Sequence, residues 1–127
     1  MKKILKILLA DDNQEQVNFM KEIIEKNSQY EVIGIATTKD SEITLIDELK
    51  PDVVITDLRK QNEWIGLEII KEYKTKEYNP IFFVVSASIV NYIEEMRSLE
   101  VRFCLTKPYD FKDLMKKLNE IYEYVYH

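Results

Sequence analysis

The sequence predicts a three-layer α/β domain, with a five-stranded parallel sheet covered by helices on both faces. Three observations predict it. Short apolar runs such as Val53-Val54-Ile55 and Ile81-Phe82-Phe83-Val84-Val85 show no polar alternation, as expected of strands buried on both faces. The segments between these runs carry apolar residues three and four positions apart, the period of an amphipathic helix. The two patterns alternate along the chain, and repeated strand–helix units close a parallel sheet with right-handed crossovers. The 127 residues suit one domain, 1–127.

The first strand is predicted from Ile4 to Ala10, and Asp11-Asp12 ends it. A helix follows from Gln14 to Lys26, with Val17, Met20 and Ile24 on one face. Tyr30 to Ala36 is the second strand. Thr37-Thr38 offers a capping hydroxyl to a helix from Asp40 to Lys50, with Ile43, Ile46 and Leu49 inward, and Pro51 stops it. Val53 to Asp57 is the third strand. A polar loop from Leu58 to Glu63 leads to a helix from Gly66 to Lys76. Ile81 to Val85 is the fourth strand and ends at Ser86. A fourth helix is predicted from Ile89 to Leu99, and a fifth strand from Arg102 to Leu105 runs into Thr106-Lys107-Pro108. Asp110 caps the last helix, which runs to Tyr124 with the apolar stripe Phe111, Leu114, Leu118, Ile121 and Val125.

Composition narrows the function. Apolar residues make up 46% of the chain, enough for an independent core. A net charge of −5 argues against direct nucleic-acid contact. The single cysteine excludes an internal disulfide and fits a cytoplasmic protein. Lys6 interrupts the apolar N-terminal stretch and Asp11-Asp12 cuts it short, which argues against a signal peptide. No apolar segment is long enough to span a bilayer.

The chemistry sits at the strand ends. In an open parallel sheet, ligands bind beyond the carboxyl ends of strands where strand order reverses. If the first and third strands are neighbours, Asp11 and Asp12 lie beside Asp57. Three carboxylates at close range need a cation, and hard oxygen donors suit Mg²⁺. A metal, a carboxylate nucleophile, the Ser86 hydroxyl and the Lys107 ammonium are parts that can hold a phosphoryl group.

In this order and context, Asp11-Asp12, Asp57, Ser86-Ala87 and Lys107-Pro108 resemble the receiver domain of two-component response regulators. The resemblance runs from about Ile4 to Tyr124. It implies a flavodoxin-like (CheY-like) sheet in the order 2-1-3-4-5 with five helices. It implies that Asp57 accepts a phosphoryl group from a sensor histidine kinase or phosphotransfer protein. Mg²⁺ would be held by Asp12, Asp57 and the Arg59 carbonyl, with Asp11 in support. Ser86 would bond a phosphoryl oxygen, and Lys107 would pair with another. A cis bond before Pro108 would direct Lys107 into the site, and in a metal-free form Lys107 or Arg59 would bridge the acids. The resemblance describes a switch rather than an enzyme. Its partner or output domain would meet the face of the fourth helix, fifth strand and fifth helix, around Tyr92, Arg97, Tyr109 and Lys116.

Four departures from the family pattern stand out. The loop Leu58-Arg59-Lys60-Gln61-Asn62-Glu63-Trp64-Ile65 has no proline, and Gly66 comes one residue later than usual. Arg59 projects where it can shield an acyl phosphate. Cys104 stands three residues before Lys107, where an aromatic switch is usual, and Phe103 is one residue earlier. Glu100-Val101 replaces a small Gly-Ala pair. Cys104 is expected to pack as a small hydrophobe, and His127 to carry no chemistry. Two other readings compete. A pseudo-receiver would keep the fold and signal by contacts alone. A haloacid-dehalogenase-like phosphatase would need a second acid where Arg59 stands. The chain fits either a single-domain regulator or the receiver of a longer protein.

Overall fold

A computed structural model describes residues 3–59, 63 and 65–126. It contains β1 (Leu5–Ala10), α1 (Gln14–Glu25), β2 (Tyr30–Ala36), α2 (Lys39–Leu49), β3 (Val53–Thr56) and α3 (Gly66–Tyr73). These are followed by β4 (Ile81–Ser86), a 3-10 turn (Ile89–Tyr92), α4 (Ile93–Ser98), β5 (Phe103–Thr106) and α5 (Phe111–Tyr126). The sheet is parallel throughout, in the order β2-β1-β3-β4-β5. This is the flavodoxin-like order expected from the sequence.

Strand periodicity divides the core into two layers. Side chains alternate across a sheet, so neighbours in sequence face opposite sides. Leu5, Ile7 and Leu9 of β1 pack with Val53, Ile55, Phe83 and Val85 against Val17, Met20 and Ile24 of α1 and Leu114, Leu118 and Ile121 of α5. Leu8 and Ala10 pack with Val54, Phe82 and Val84 against Ile46 of α2, Ile69, Ile70 and Tyr73 of α3, and Met96 of α4. All four residues of β3 are buried, as its unbroken apolar run requires. β5 is an edge strand, as is β2 at the other side, and stays partly exposed.

Local signals set the helix ends. Asn13 caps α1 by accepting from the Gln16 amide. Thr38 and Ser41 form a reciprocal capping box on α2. Lys50, at φ 47°, ends α2 in the left-handed region, and Pro51 follows. Asp110 Oδ1 accepts from the Lys112 amide at the start of α5.

Two expectations need correction. Leu49 is not buried: its side chain lies over Gly34 of β2 but stays 39% exposed, and the buried positions of α2 are Glu42 and Ile46. Ile43, Leu45, Ile46 and Leu49 spread around more than one face of this helix, so the sequence does not single out the packed one. The fourth helix does not run unbroken from Ile89. A 3-10 turn occupies Ile89–Tyr92 first, and α4 is one and a half turns or so. The polar loop after β3 falls largely outside the described residues, since Lys60, Gln61, Asn62 and Trp64 are not among them. His127 is also outside them.

Glu100 explains itself only in the structure. It closes α4 at φ 59°, the conformation that favours glycine. Its amide donates to the Arg97 carbonyl, and the Val101 amide donates to the Met96 carbonyl. The chain has thus kept the left-handed turn while losing the glycine. Glu100→Gly should therefore stabilise the fold by roughly 0.5–1 kcal/mol, after the extra chain entropy of glycine is set against the relieved strain. Urea unfolding of the two proteins checks this.

Candidate functional site

Register brings the functional side chains to one edge of the sheet. Ala10 pairs with Thr56, so Asp11 and Asp57 are the next residues of adjacent strands. Their backbones are anchored there: the Asp57 amide donates to the Ala10 carbonyl, and the Asp11 amide donates to the Ala36 carbonyl. Ser86 pairs with Thr106, and the Lys107 amide donates to the Ser86 carbonyl. The Lys107–Pro108 peptide bond is cis, as the resemblance implied.

At the centre, Lys107 Nζ donates to Asp11 Oδ2 at 2.8 Å and to Asp57 Oδ2 at 2.9 Å. The side chains of all three are largely buried, with 18%, 16% and 14% exposure for Lys107, Asp11 and Asp57. Burial by itself lowers the Lys107 pKa. The hydrogen bonds and negative charges of Asp11 and Asp57 outweigh it, so the net shift is upward and the ammonium stays charged. A third contact runs from Lys107 Nζ to Gln16 Oε1 at 3.2 Å.

The other carboxylate oxygens are used as well. Asp11 Oδ1 accepts from the Asn13 amide at 3.1 Å, and Asp57 Oδ1 accepts from the Arg59 amide at 3.3 Å. The structure thus joins Asp11, Asp57 and Lys107, with the Arg59 backbone against Asp57. Asp12 lies on the exposed side of the turn. Among the described residues, no three Asp, Glu, His or Cys side chains converge as a ready-made metal group. The contacts at the centre are those of Asp11, Asp57 and the Lys107 ammonium.

The donor chemistry nonetheless fits a hard divalent ion. Asp11 and Asp57 both reach a single cationic atom at hydrogen-bond distance, which shows that their oxygens can serve one cation. A carboxylate offers about four lone-pair positions across its two oxygens, so neither acid is exhausted by the bonds it makes. Asp12 and the Arg59 carbonyl would have to complete the set.

Ser86 is 1% exposed, and its hydroxyl accepts from the Ser88 amide at 3.2 Å. Cys104 and Phe103 lie on opposite faces of β5. Cys104 packs in the layer of α2, α3 and α4, while Phe103 packs in the α1–α5 layer with its ring 5.9 Å from that of Tyr124. Phe103 therefore does not stand in for an aromatic at position 104.

Two contributors were missed in the sequence. Gln16 was not singled out, although Asn13 and Gln16 have the spacing of a helix cap and its third residue. Gly66 was noted only for its shifted position. A Cβ placed there would come within 2.5 Å of the Asp57 carbonyl oxygen and 2.8 Å of Leu58 Cα. The Gly66 amide also donates to the Leu58 carbonyl at 3.0 Å. The longer loop thus still returns to seat a bare backbone against Asp57. Gly66→Ala should cost about 1–3 kcal/mol of stability through this overlap. It should also shift the Asp57 and Leu58 amide resonances, and unchanged stability would mean that the backbone moves aside freely.

Comparison with known proteins agrees with this geometry. The family model described as the response regulator receiver domain matches residues 7–119. The transcriptional regulatory protein YdfI of Bacillus subtilis is 38% identical over 81 residues, covering 64% of this chain and 38% of that protein. The sensory transduction protein LytT of Bacillus anthracis is 25% identical over 117 residues, covering 92% of this chain and 47% of that protein. The chain therefore spans less than half the length of these curated relatives. The receiver domain of AraT, a response regulator from Geobacillus stearothermophilus, superposes with a TM-score of 0.84 at 26% identity, covering 96% of this chain and 95% of that one. With the motif order, the 2-1-3-4-5 sheet and the family match in agreement, the chain belongs to the receiver domains of two-component response regulators.

Proposed function

We propose that this chain is a single phosphoacceptor domain over residues 1–127, with Asp57 as the nucleophile. The observation that carries the reading is the placement of the Asp57 carboxylate at the end of β3, bonded to Lys107 and beside Asp11. An Asp57 oxygen would attack the phosphorus of a phosphohistidine on a sensor kinase or phosphotransfer protein. The O–P bond forms as the P–N bond breaks, and the imidazole leaves and takes up a proton. A bound Mg²⁺, held by Asp11, Asp12, Asp57 and the Arg59 carbonyl, would neutralise charge on the phosphoryl oxygens. Lys107 is within reach of the same space and would pair with one of those oxygens as a point charge. The domain is a switch, not an enzyme acting on a diffusible substrate. A kinase supplied with ATP places this exchange in the cytoplasm.

Acetyl phosphate can replace the kinase as donor. With Mg²⁺, intact-mass analysis should show one phosphoryl group on the wild type and none on Asp57→Asn. Asp12→Ala should weaken both Mg²⁺ binding and labelling. Equal labelling of wild type and Asp57→Asn would sink the assignment. The Lys107 bridge favours a second reading, a pseudo-receiver whose acids are permanently neutralised, and a wild type that never takes up phosphate would establish it.

Signalling is proposed to run through Ser86. Its hydroxyl already holds the Ser88 amide, one residue before the 3-10 turn. Drawing that hydroxyl toward a phosphoryl oxygen pulls on this bond and biases the segment that follows. Val90 and Ile93 lie on it, 76% and 43% exposed. We place the partner surface on α4, β5 and α5, around Tyr92, Arg97, Tyr109 and Lys116, with no contact to nucleic acid or membrane by this domain. The backbone after Ser86 carries the change, because Cys104 has no ring to turn. Beryllofluoride, which mimics the phosphoryl group, should shift amide resonances from Ser86 into α4; shifts confined to the acid pocket would contradict the relay.

A further inference from the structure

We propose that Gln16 is a positioning residue: it latches the Lys107 ammonium between Asp11 and Asp57, and so sets how readily a divalent cation displaces it. The latch rests on the phosphoacceptor reading above. An ammonium has three N–H donors and no acceptor. In this chain all three have oxygen partners: Asp11 Oδ2 at 2.8 Å, Asp57 Oδ2 at 2.9 Å and Gln16 Oε1 at 3.2 Å. Two of those acceptors are carboxylates that a divalent cation would claim. The third is a neutral amide, which must present its oxygen, since an ammonium only donates.

Gln16 is itself fixed by a closed circuit of hydrogen bonds. The Asn13 amide donates to Asp11 Oδ1 at 3.1 Å, and the Gln16 amide donates to Asn13 Oδ1 at 3.1 Å. Gln16 Oε1 then accepts from Lys107, which returns to Asp11 through Oδ2. Asp11, Asn13, Gln16 and Lys107 therefore hold one another through the first turn of α1. Withdrawing the ammonium from Asp11 also disturbs the Gln16 contact, so the circuit resists the exchange. Gln16 is exposed and outside the hydrophobic core, so changing its side chain opens no core cavity.

The test is a double-mutant cycle with Gln16→Met, which keeps length and removes the acceptor, and Lys107→Met. Calorimetric titration with Mg²⁺ should show Gln16→Met binding about three- to tenfold more tightly than wild type. In the Lys107→Met background the same change should have no effect. Urea unfolding without Mg²⁺ is measured on the same four proteins. It should show Gln16 and Lys107 coupled by about threefold in the unfolding equilibrium constant. A Gln16→Met protein with unchanged or weaker Mg²⁺ binding overturns the proposal, as does an equal effect in both backgrounds or an absence of coupling in urea. Coupling in urea together with no Mg²⁺ binding by any of the four proteins would overturn the metal-dependent threshold and the metal site itself, while leaving the Gln16–Lys107 bond in place.

Discussion

The site depends on one constraint: two carboxylates at the ends of adjacent buried strands need a cation between them. β1 and β3 are neighbours in register, so Asp11 and Asp57 leave the sheet side by side. Little water reaches them, and their charges are not cheaply borne together at that distance. Lys107 supplies the balancing charge from the far side of β4. The strand order, the tie of Lys107 to Ser86 and the seat of Gly66 against Asp57 all serve that arrangement. In the proposed function, signalling chemistry is an exchange of partners on those oxygens: the ammonium seen here would give way to a divalent ion and a phosphoryl group.

Much of this was legible in the sequence because strand ends are legible. An apolar run that stops at an acid marks both a buried strand and the edge where the acid emerges; the runs before Asp11 and Asp57 do this, while the strand order was implied by the family resemblance. What was not legible is long-range or rotational. Lys107 bonds residues 96 and 50 positions away, and no local pattern shows which of three acids it will choose. The packed face of α2 depends on neighbours rather than on its scattered apolar residues, which is why Glu42 rather than Leu49 is buried. The left-handed turn at Glu100 was visible only as a missing glycine. The role of Gly66 required the distance to Asp57, which a shifted position in the loop does not reveal.

The departures from the family pattern fall in two groups with different consequences. Those at Gly66 and Glu100 leave the strand ends in place: Gly66 meets the Asp57 backbone, and Glu100 keeps the left-handed turn. The change at Cys104 is different, because it removes a ring from the face on which α2, α3 and α4 pack. Phe103 is committed to the opposite layer beside Tyr124 and cannot compensate. The proposed relay therefore runs through backbone and small side chains. In the proposed relay, the hydrogen bond between the Ser88 amide and the Ser86 hydroxyl and the 3-10 turn after it would carry the change.

The most direct measurement of the central claim is the stability of Lys107→Met with and without Mg²⁺. Without the metal, the variant leaves Asp11 and Asp57 together with no ammonium, and it should unfold at lower urea than wild type. Mg²⁺ binding only to the folded state should restore it, and should stabilise the variant more than the wild type, where the ion must first displace the lysine. A variant as stable as wild type without Mg²⁺, or one that gains no more from Mg²⁺ than wild type does, would contradict the account.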